Sequence, residues 1–404
     1  MNNPAALVAG NDPSRHQMEL FMSDRKSPES LQYHPSTEHM RSLADPTELA
    51  IADKIHEINS RFIPFKRDEL LNSSMRAAIL SLTAPLTQRG NKRQILALCG
   101  ESGAGKSTAI EFHIRRHKEL QPYVDEEGVL INPVFIFDGP KPCTPRLLAI
   151  EALDQLKVYV PDRISAAAAW SRFRQHLRKR KIKLVVIDEA QNAIDGASEG
   201  EQTDIADAFK QLVQMKGWRV CLALVGVPPL AEFMTRKQLA NRKSCVQFEP
   251  FDADADSGVE IVTTIMQRVI EDHAGLTISE KLLVDDETDE APIKRKRLSL
   301  DFIGRLAHSG TNDLGTMIKT VREATELALY ARRDEVTLDD FAEAYATSSG
   351  CRETENVFKA GASQWPDIIV ADAALREGDF KWREEHGTRK PKQPRPSQHR
   401  IRGE

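Results

Sequence analysis

Eight residues limit what this chain can fold into more than any others. They are Gly100-Glu101-Ser102-Gly103-Ala104-Gly105-Lys106-Ser107, with Thr108 following. They fill every fixed position of the pattern G-x-x-x-x-G-K-[ST]. Their surroundings fit as well. Gln94 to Cys99 is a short apolar run that reads as a buried strand, and Thr108 to Ile114 carries apolar residues at helical spacing. Strand, glycine loop and helix is the context that makes this pattern a phosphate-binding loop. Glycines let backbone N–H groups curl around an anion without Cβ clashes. The helix that follows turns its positive end to the same point. Lys106 reaches the outer phosphates, and the Ser107 hydroxyl suits a magnesium ion. The bland alternative is a chance glycine turn between a strand and a helix.

A second anchor lies 82 positions later. Lys183-Leu184-Val185-Val186-Ile187-Asp188-Glu189 is an apolar run that ends in two carboxylates. In an open α/β sheet the C-terminal strand edge is where ligands bind. Asp188 there is expected to hold the magnesium, partly through water. Glu189 is expected to take a proton from the water that attacks the γ-phosphate.

Strands and helices alternate from Gln94 to Pro250. Further strands are expected at 133–137, 219–226 and 246–248, with helices at 146–156, 165–181, 205–215 and 229–238. That alternation implies a mainly parallel sheet in three layers. From Ala253 on the pattern is helical, at 259–273, 298–308, 314–332 and 338–346. Ahead of the glycine loop, 46–60 and 66–82 read as helices, the first with an Ile51, Ile55, Ile58 stripe. The expected organisation is a disordered arm over 1–45, N-terminal helices over 46–93, and an α/β core over 94–252. A helical lid over 253–350 and a basic, largely disordered tail over 351–404 complete it.

Bulk properties exclude several classes. A net charge of −4 gives no global nucleic-acid signal, so any such signal is local. The five cysteines lack C-x-x-C spacing, which suits a reducing cytoplasm and argues against zinc. No apolar run approaches membrane-spanning length, and the N-terminus does not read as a signal peptide. A soluble, intracellular, cytoplasmic protein with no membrane partner is expected. Three basic stretches stand out. Ile164 to Ile187 holds Arg172, Arg174, Arg178, Lys179, Arg180, Lys181 and Lys183 with no acid among them. That is either a solvated helix face or a partner surface. Lys294 to Arg297 follows an acidic run and reads as an exposed charged loop. The tail from Gly387 carries Arg389, Lys390, Lys392, Arg395, Arg400 and Arg402 among polar residues.

Taken together, the glycine loop, the Asp188-Glu189 pair and the helical lid resemble an AAA+ ATPase. The fold implied is a P-loop αβα sandwich with a C-terminal helical lid. More specifically, the stretch from Pro46 to Ala346 is similar to the TniB/TnsC family of AAA+ transposition regulators, which are related to MuB. The residues that carry this likeness are Asp188-Glu189-Ala190-Gln191-Asn192, Lys141-Pro142-Cys143-Thr144-Pro145, Val225-Gly226-Val227-Pro228 and Gln238-Leu239-Ala240-Asn241-Arg242. The resemblance implies ATP and Mg2+ as cofactors. It implies assembly on double-stranded DNA as a ring or filament, a target-selection partner, and delivery of the target to a DDE transposase. It points to Arg242 as an arginine finger given to the neighbouring subunit, with Arg236 as runner-up. It points to Lys141, Thr144, Arg146 and Arg163 as sequence-independent DNA contacts.

Two departures matter. The fourth strand ends Leu224-Val225-Gly226-Val227-Pro228 with no polar sensor side chain. In the lid, Thr311-Asn312-Asp313 stands where a sensor arginine should follow Gly310, and Lys319 or Arg322 is the nearest substitute. Both suit a slow switch whose turnover depends on a partner. A helicase loader or replication initiator, and a signalling scaffold without DNA, remain as alternative readings.

Overall fold

The computed structural model describes residues 35–85, 94–141, 143–285 and 296–370. Three helices come first. They are α1 (Pro35–Leu43), α2 (Pro46–Ser60) and α3 (Arg67–Leu82). Asp45 caps α2 by accepting from the amides of Thr47 and Glu48 at 2.8 and 3.2 Å. Helix α1 falls in the stretch expected to be a disordered arm. It buries no side chain, but Arg41 pairs with Asp53 on α2 at 2.7 Å.

The α/β core runs β1 (Ile95–Gly100), α4 (Lys106–Arg116), β2 (Val134–Asp138), α5 (Pro145–Gln155), α6 (Ala166–Lys179), β3 (Leu184–Asp188), α7 (Glu199–Val213), β4 (Cys221–Gly226), α8 (Pro229–Phe233) and β5 (Lys243–Phe248). The five strands form one parallel sheet in the order β2-β3-β4-β1-β5. Alternation along each strand explains the three layers. Ile95, Ala97, Cys99, Val185, Ile187, Leu222 and Leu224 face one core with Phe173 and Phe209 from α6 and α7. Leu96, Leu98, Leu184, Val186, Ala223 and Val225 face the other, with Leu71, Met75 and Ile79 from α3 and Ile110 from α4. Strands buried on both faces read as continuous apolar runs, and these do.

The lid contains α9 (Asp256–Met266), which continues as a π-helical stretch over Gln267–Ala274. It continues with α10 (Leu300–Ser309), α11 (Leu314–Tyr330) and α12 (Leu338–Ser349). Its core joins Met266, Phe302, Met317, Val321 and Phe341, and also takes Ile58 from α2. The N-terminal helices thus divide. Helix α2 packs on the lid, α3 packs on the sheet, and Arg61 to Lys66 links the two.

Four expectations need correction. Leu283–Asp285 and Lys296–Leu298 pair as an antiparallel hairpin where a charged loop was expected. Residues 286–295, including Lys294 and Arg295, lie outside the described residues. Residues 351–370 were assigned to the tail, yet Val357, Phe358 and Val370 are buried in the lid core. Asn356 fastens them by donating to the Ala342 carbonyl at 2.7 Å. Helix α7 starts six residues before the expected Ile205, behind a capping box of Ser198 and Glu201. Helix α8 stops at Phe233 rather than Gln238. The tail from 387 and Pro142 fall outside the described residues.

Candidate nucleotide site

Gly100 ends β1, and Glu101 to Gly105 form the loop before α4. Gly103 and Gly105 have φ of +76° and +79°, which side chains rarely tolerate. Lys106 is 8 % exposed and its Nζ donates to the Glu101 carbonyl at 2.7 Å. Burial lowers the Lys106 pKa, against the opposing pull of Glu189, Asp188, Cys99 and Asp313. Ser102, Ser107 and Thr108 are exposed, whereas Ala104 packs into the sheet core.

The carboxylate pair Asp188-Glu189 sits at the end of β3. Asp138 on β2 lies in register with Asp188. Burial, then Asp188 and Glu189, push the Asp138 carboxyl above the usual range. Like charges crowded at one sheet edge favour a cation there. Among the described residues no three His, Cys, Asp or Glu side chains converge on a metal position. Magnesium at a phosphate loop asks for fewer protein donors, because it keeps waters and phosphate oxygens. Ser107 and Asp188 fit that role.

Glu189 takes a left-handed backbone, with φ of +49°. Three bonds hold it. Its amide donates to Asp188 Oδ1 at 2.8 Å, its carbonyl accepts from Asn192 N at 2.9 Å, and its carboxylate accepts from Gln191 Nε2.

The lid touches the loop directly. Gly315 N, in the first turn of α11, donates to the Gly103 carbonyl at 3.1 Å. Asp313 caps α11 and its carboxylate lies over Gly103, where a Cβ would meet Oδ1 at 1.8 Å. From the other side, Arg67 of α3 donates to the Ala104 carbonyl at 2.6 Å and stacks 4.1 Å from the Phe248 ring centroid. A cavity of about 940 Å³ opens between these parts, lined by Phe65, Asp68, His113, Phe251 and Ile261 among others. It adjoins the loop residues Glu101, Ser102 and Ala104, so it can take the nucleoside end of a nucleotide whose phosphates lie on the loop. Phe62 stacks on Phe112 at 4.0 Å and ties the linker before α3 to α4.

The substitutes considered for a lid arginine are placed elsewhere. Arg322 donates to the Arg61 carbonyl at 2.7 Å, and Lys319 pairs with Glu323 at 3.6 Å. Arg236 is bonded to Gln202 and to Thr203 Oγ1 of the same chain. Among the described residues the half-buried Arg242 guanidinium has no such partner, while its carbonyl accepts from Gln94 and Ile95 at 3.1 Å.

The basic residues after β2 gather at the start of α5. Thr144 accepts from Leu147 N at 3.2 Å and caps that helix. Arg146 donates to the carbonyls of Ile164 and Asp162 at 2.7 and 2.6 Å, which brings exposed Arg163 beside it. Lys141 is exposed on the preceding loop. The run on α6 is largely absorbed by the fold. Arg178 bonds to Lys216 O, Arg180 to Leu156 O and Lys181 to Asp125, and Lys183 sits 3.4 Å above the Trp218 ring.

The sequence did not show the role of Arg67, the contacts of Asp313 and Gly315 with Gly103, or the bonding of Gln191. Gln191 and Asp313 each lay in a run already singled out, whereas Arg67 and Gly315 carried no signal.

Comparison with solved structures gives remote likenesses. The Orc1 protein of Aeropyrum pernix in complex with DNA is 17% identical at a TM-score of 0.44, with 80% of this chain and 72% of that one covered. Cdc6p of Pyrobaculum aerophilum is 13% identical at 0.45, covering 80% and 87%. The RuvB Holliday junction branch migration motor of Thermotoga maritima is 11% identical at 0.38, covering 79% and 95%. No curated protein matches the chain. Residues 58–253 match the model of the family described as Bacterial TniB protein. Those residues hold the P-loop, the Asp-Glu strand end and the β2-β3-β4-β1-β5 sheet, and over them the chain is similar to TniB-type AAA+ ATPases.

Proposed function

We propose that this ATPase is an ATP-gated, DNA-binding regulator of transposition. It assembles on target DNA as a homo-oligomer and hands that DNA to a DDE transposase, with slow hydrolysis that depends on a partner. The observation that carries the reading is the TniB match laid over a complete phosphate loop and Asp188-Glu189 pair. The contact of Gly315 with Gly103 supports the gating, because a phosphate on the loop changes what the lid rests on.

In the hydrolytic step, Lys106 leaves the Glu101 carbonyl and offsets charge on the outer phosphates. Glu189 accepts the proton of the attacking water. Ser107 and Asp188 would hold a magnesium ion, which would supply further charge to the same phosphates. Arg242 of one subunit serves the nucleotide of the next.

DNA is met by Lys141 and Arg163, with Thr144 and Arg146 shaping the α5 N-terminus between them. Contacts of this kind go to phosphates, so binding is sequence-independent and steeply salt-sensitive. Since Arg146 also braces 162–164, the clean test reverses Lys141 and Arg163 together. Filter binding to two unrelated duplexes, with and without ATP, should show Lys141→Glu/Arg163→Glu weakening both alike and flattening the salt slope. Unchanged binding in that variant, with loss on removal of residues 387–404, would move the DNA contact to the tail.

A further inference from the structure

The fourth strand offers no polar side chain at its end, yet the site does not lack one. Gln191 fills that place from the short 3-10 turn after β3 (Ala190–Ala193). It is 6 % exposed, and both ends of its amide are used. Oε1 accepts from Val227 N, just past β4, at 3.2 Å. Nε2 donates to the Glu189 carboxylate. The fit requires glycine at 226, where a Cβ would stand 2.5 Å from Oε1. The apparent defect of β4 is therefore the space in which Gln191 lies.

Sheet order gives the tether its direction. Strand β4 lies between β3, which carries Glu189, and β1, which carries the phosphate loop. A side chain bonded to the end of β4 draws the Glu189 carboxylate across toward Lys106. Consistent with this, Glu189 is foremost among the carboxylates that oppose the lowering of the Lys106 pKa by burial. The left-handed backbone of Glu189 leaves little else to set its direction, because its remaining bonds are through backbone atoms.

We propose that Gln191 is the positioning residue that aims Glu189 at the γ-phosphate, doing from the β3 end what a polar residue on β4 would otherwise do. This rests on Glu189 being the general base. Bonds to Val227 and Glu189 make Gln191 a link between the end of β4 and the Glu189 carboxylate.

Two variants test it by different routes. Gln191→Met keeps length and removes both bonds. Gly226→Ala keeps Gln191 but fills its place. Each should lower kcat for ATP about tenfold or more, as expected for a misplaced base, with KM and ATP affinity within about twofold. The double variant should be no slower than the slower single one, because both break one device. Glu189→Gln is measured alongside. Loss of turnover in Glu189→Gln with normal kcat in Gln191→Met would overturn the positioning role alone. Normal turnover in Glu189→Gln would remove its premise instead. Additive losses in the double variant, together with weakened ATP affinity, would mark Gln191 as merely structural.

Discussion

At the residue scale, burial without a partner shapes the chemistry beside the phosphate loop. His113 lies on α4 and is 6 % exposed, and among the described residues neither ring nitrogen has a hydrogen-bond partner. Burial first, then His117 and Arg116, push its pKa down to about 4. The folded protein therefore holds it neutral, while the unfolded chain takes up a proton near pH 6.5. A folded pKa below the unfolded one gives stability that is full above pH 6.5 and is lost as pH falls toward 4. Between pH 7 and 5 this one group should cost about 2 kcal/mol. Urea denaturation at the two pH values, in wild type and His113→Phe, should show the smaller loss in the variant by about that amount. Equal losses would mean that His113 is protonated in the fold. The Phe62 and Phe112 rings beside it place the same burial around the linker that borders the cavity.

At the scale of elements, what was legible followed from how local each signal is. The glycine loop and the Asp188-Glu189 strand end were readable because phosphate chemistry fixes residue type and spacing within a few positions. Strands β1, β3 and β4 were readable because burial on both faces leaves unbroken apolar runs. Strand β5 was read as three residues instead of six. It is an edge strand whose first half, Lys243 to Cys245, is not buried, so the apolar pattern covers only its end. The start of α7 was missed although Ser198 and Glu201 have the spacing of a capping box, because apolar periodicity begins only at Ile205. Residues 351–370 were not legible. Asn356, Val357 and Phe358 form too short a patch for any period, and the Asn356 bond to Ala342 spans fourteen positions. The role of Gln191 was hidden for a similar reason. It depends on empty space over Gly226, which belongs to a strand 35 positions away.

At the scale of the whole molecule, the proposed nucleotide site is assembled from parts far apart in the chain. Arg67 reaches the loop from α3, Gly315 and Asp313 from the lid, and Glu189 from β3. Such a site responds to the arrangement of the whole subunit, and the proposed oligomer extends this to the neighbour through Arg242. Arg236 is committed within its own subunit, which favours Arg242 for the role in trans. An arginine supplied to developing phosphate charge is worth ~10³ or more in rate. Mixing Arg242→Ala with Lys106→Ala subunits should therefore restore part of the turnover that each lacks alone. No recovery, with both variants folded, would exclude a trans role for Arg242.

In the proposed cycle, nucleotide on the loop gates assembly on DNA and hydrolysis is the release step. The most direct measurement of this gating is the lifetime of duplex-bound assemblies with ATP and magnesium in wild type, Lys106→Ala and Glu189→Gln, followed by filter binding after a salt jump. Wild type should form ATP-dependent assemblies that decay as ATP is consumed. Lys106→Ala should form none, and Glu189→Gln should form assemblies that outlast wild type at least severalfold. Assemblies of equal lifetime in all three proteins, with or without ATP, would rule out nucleotide gating.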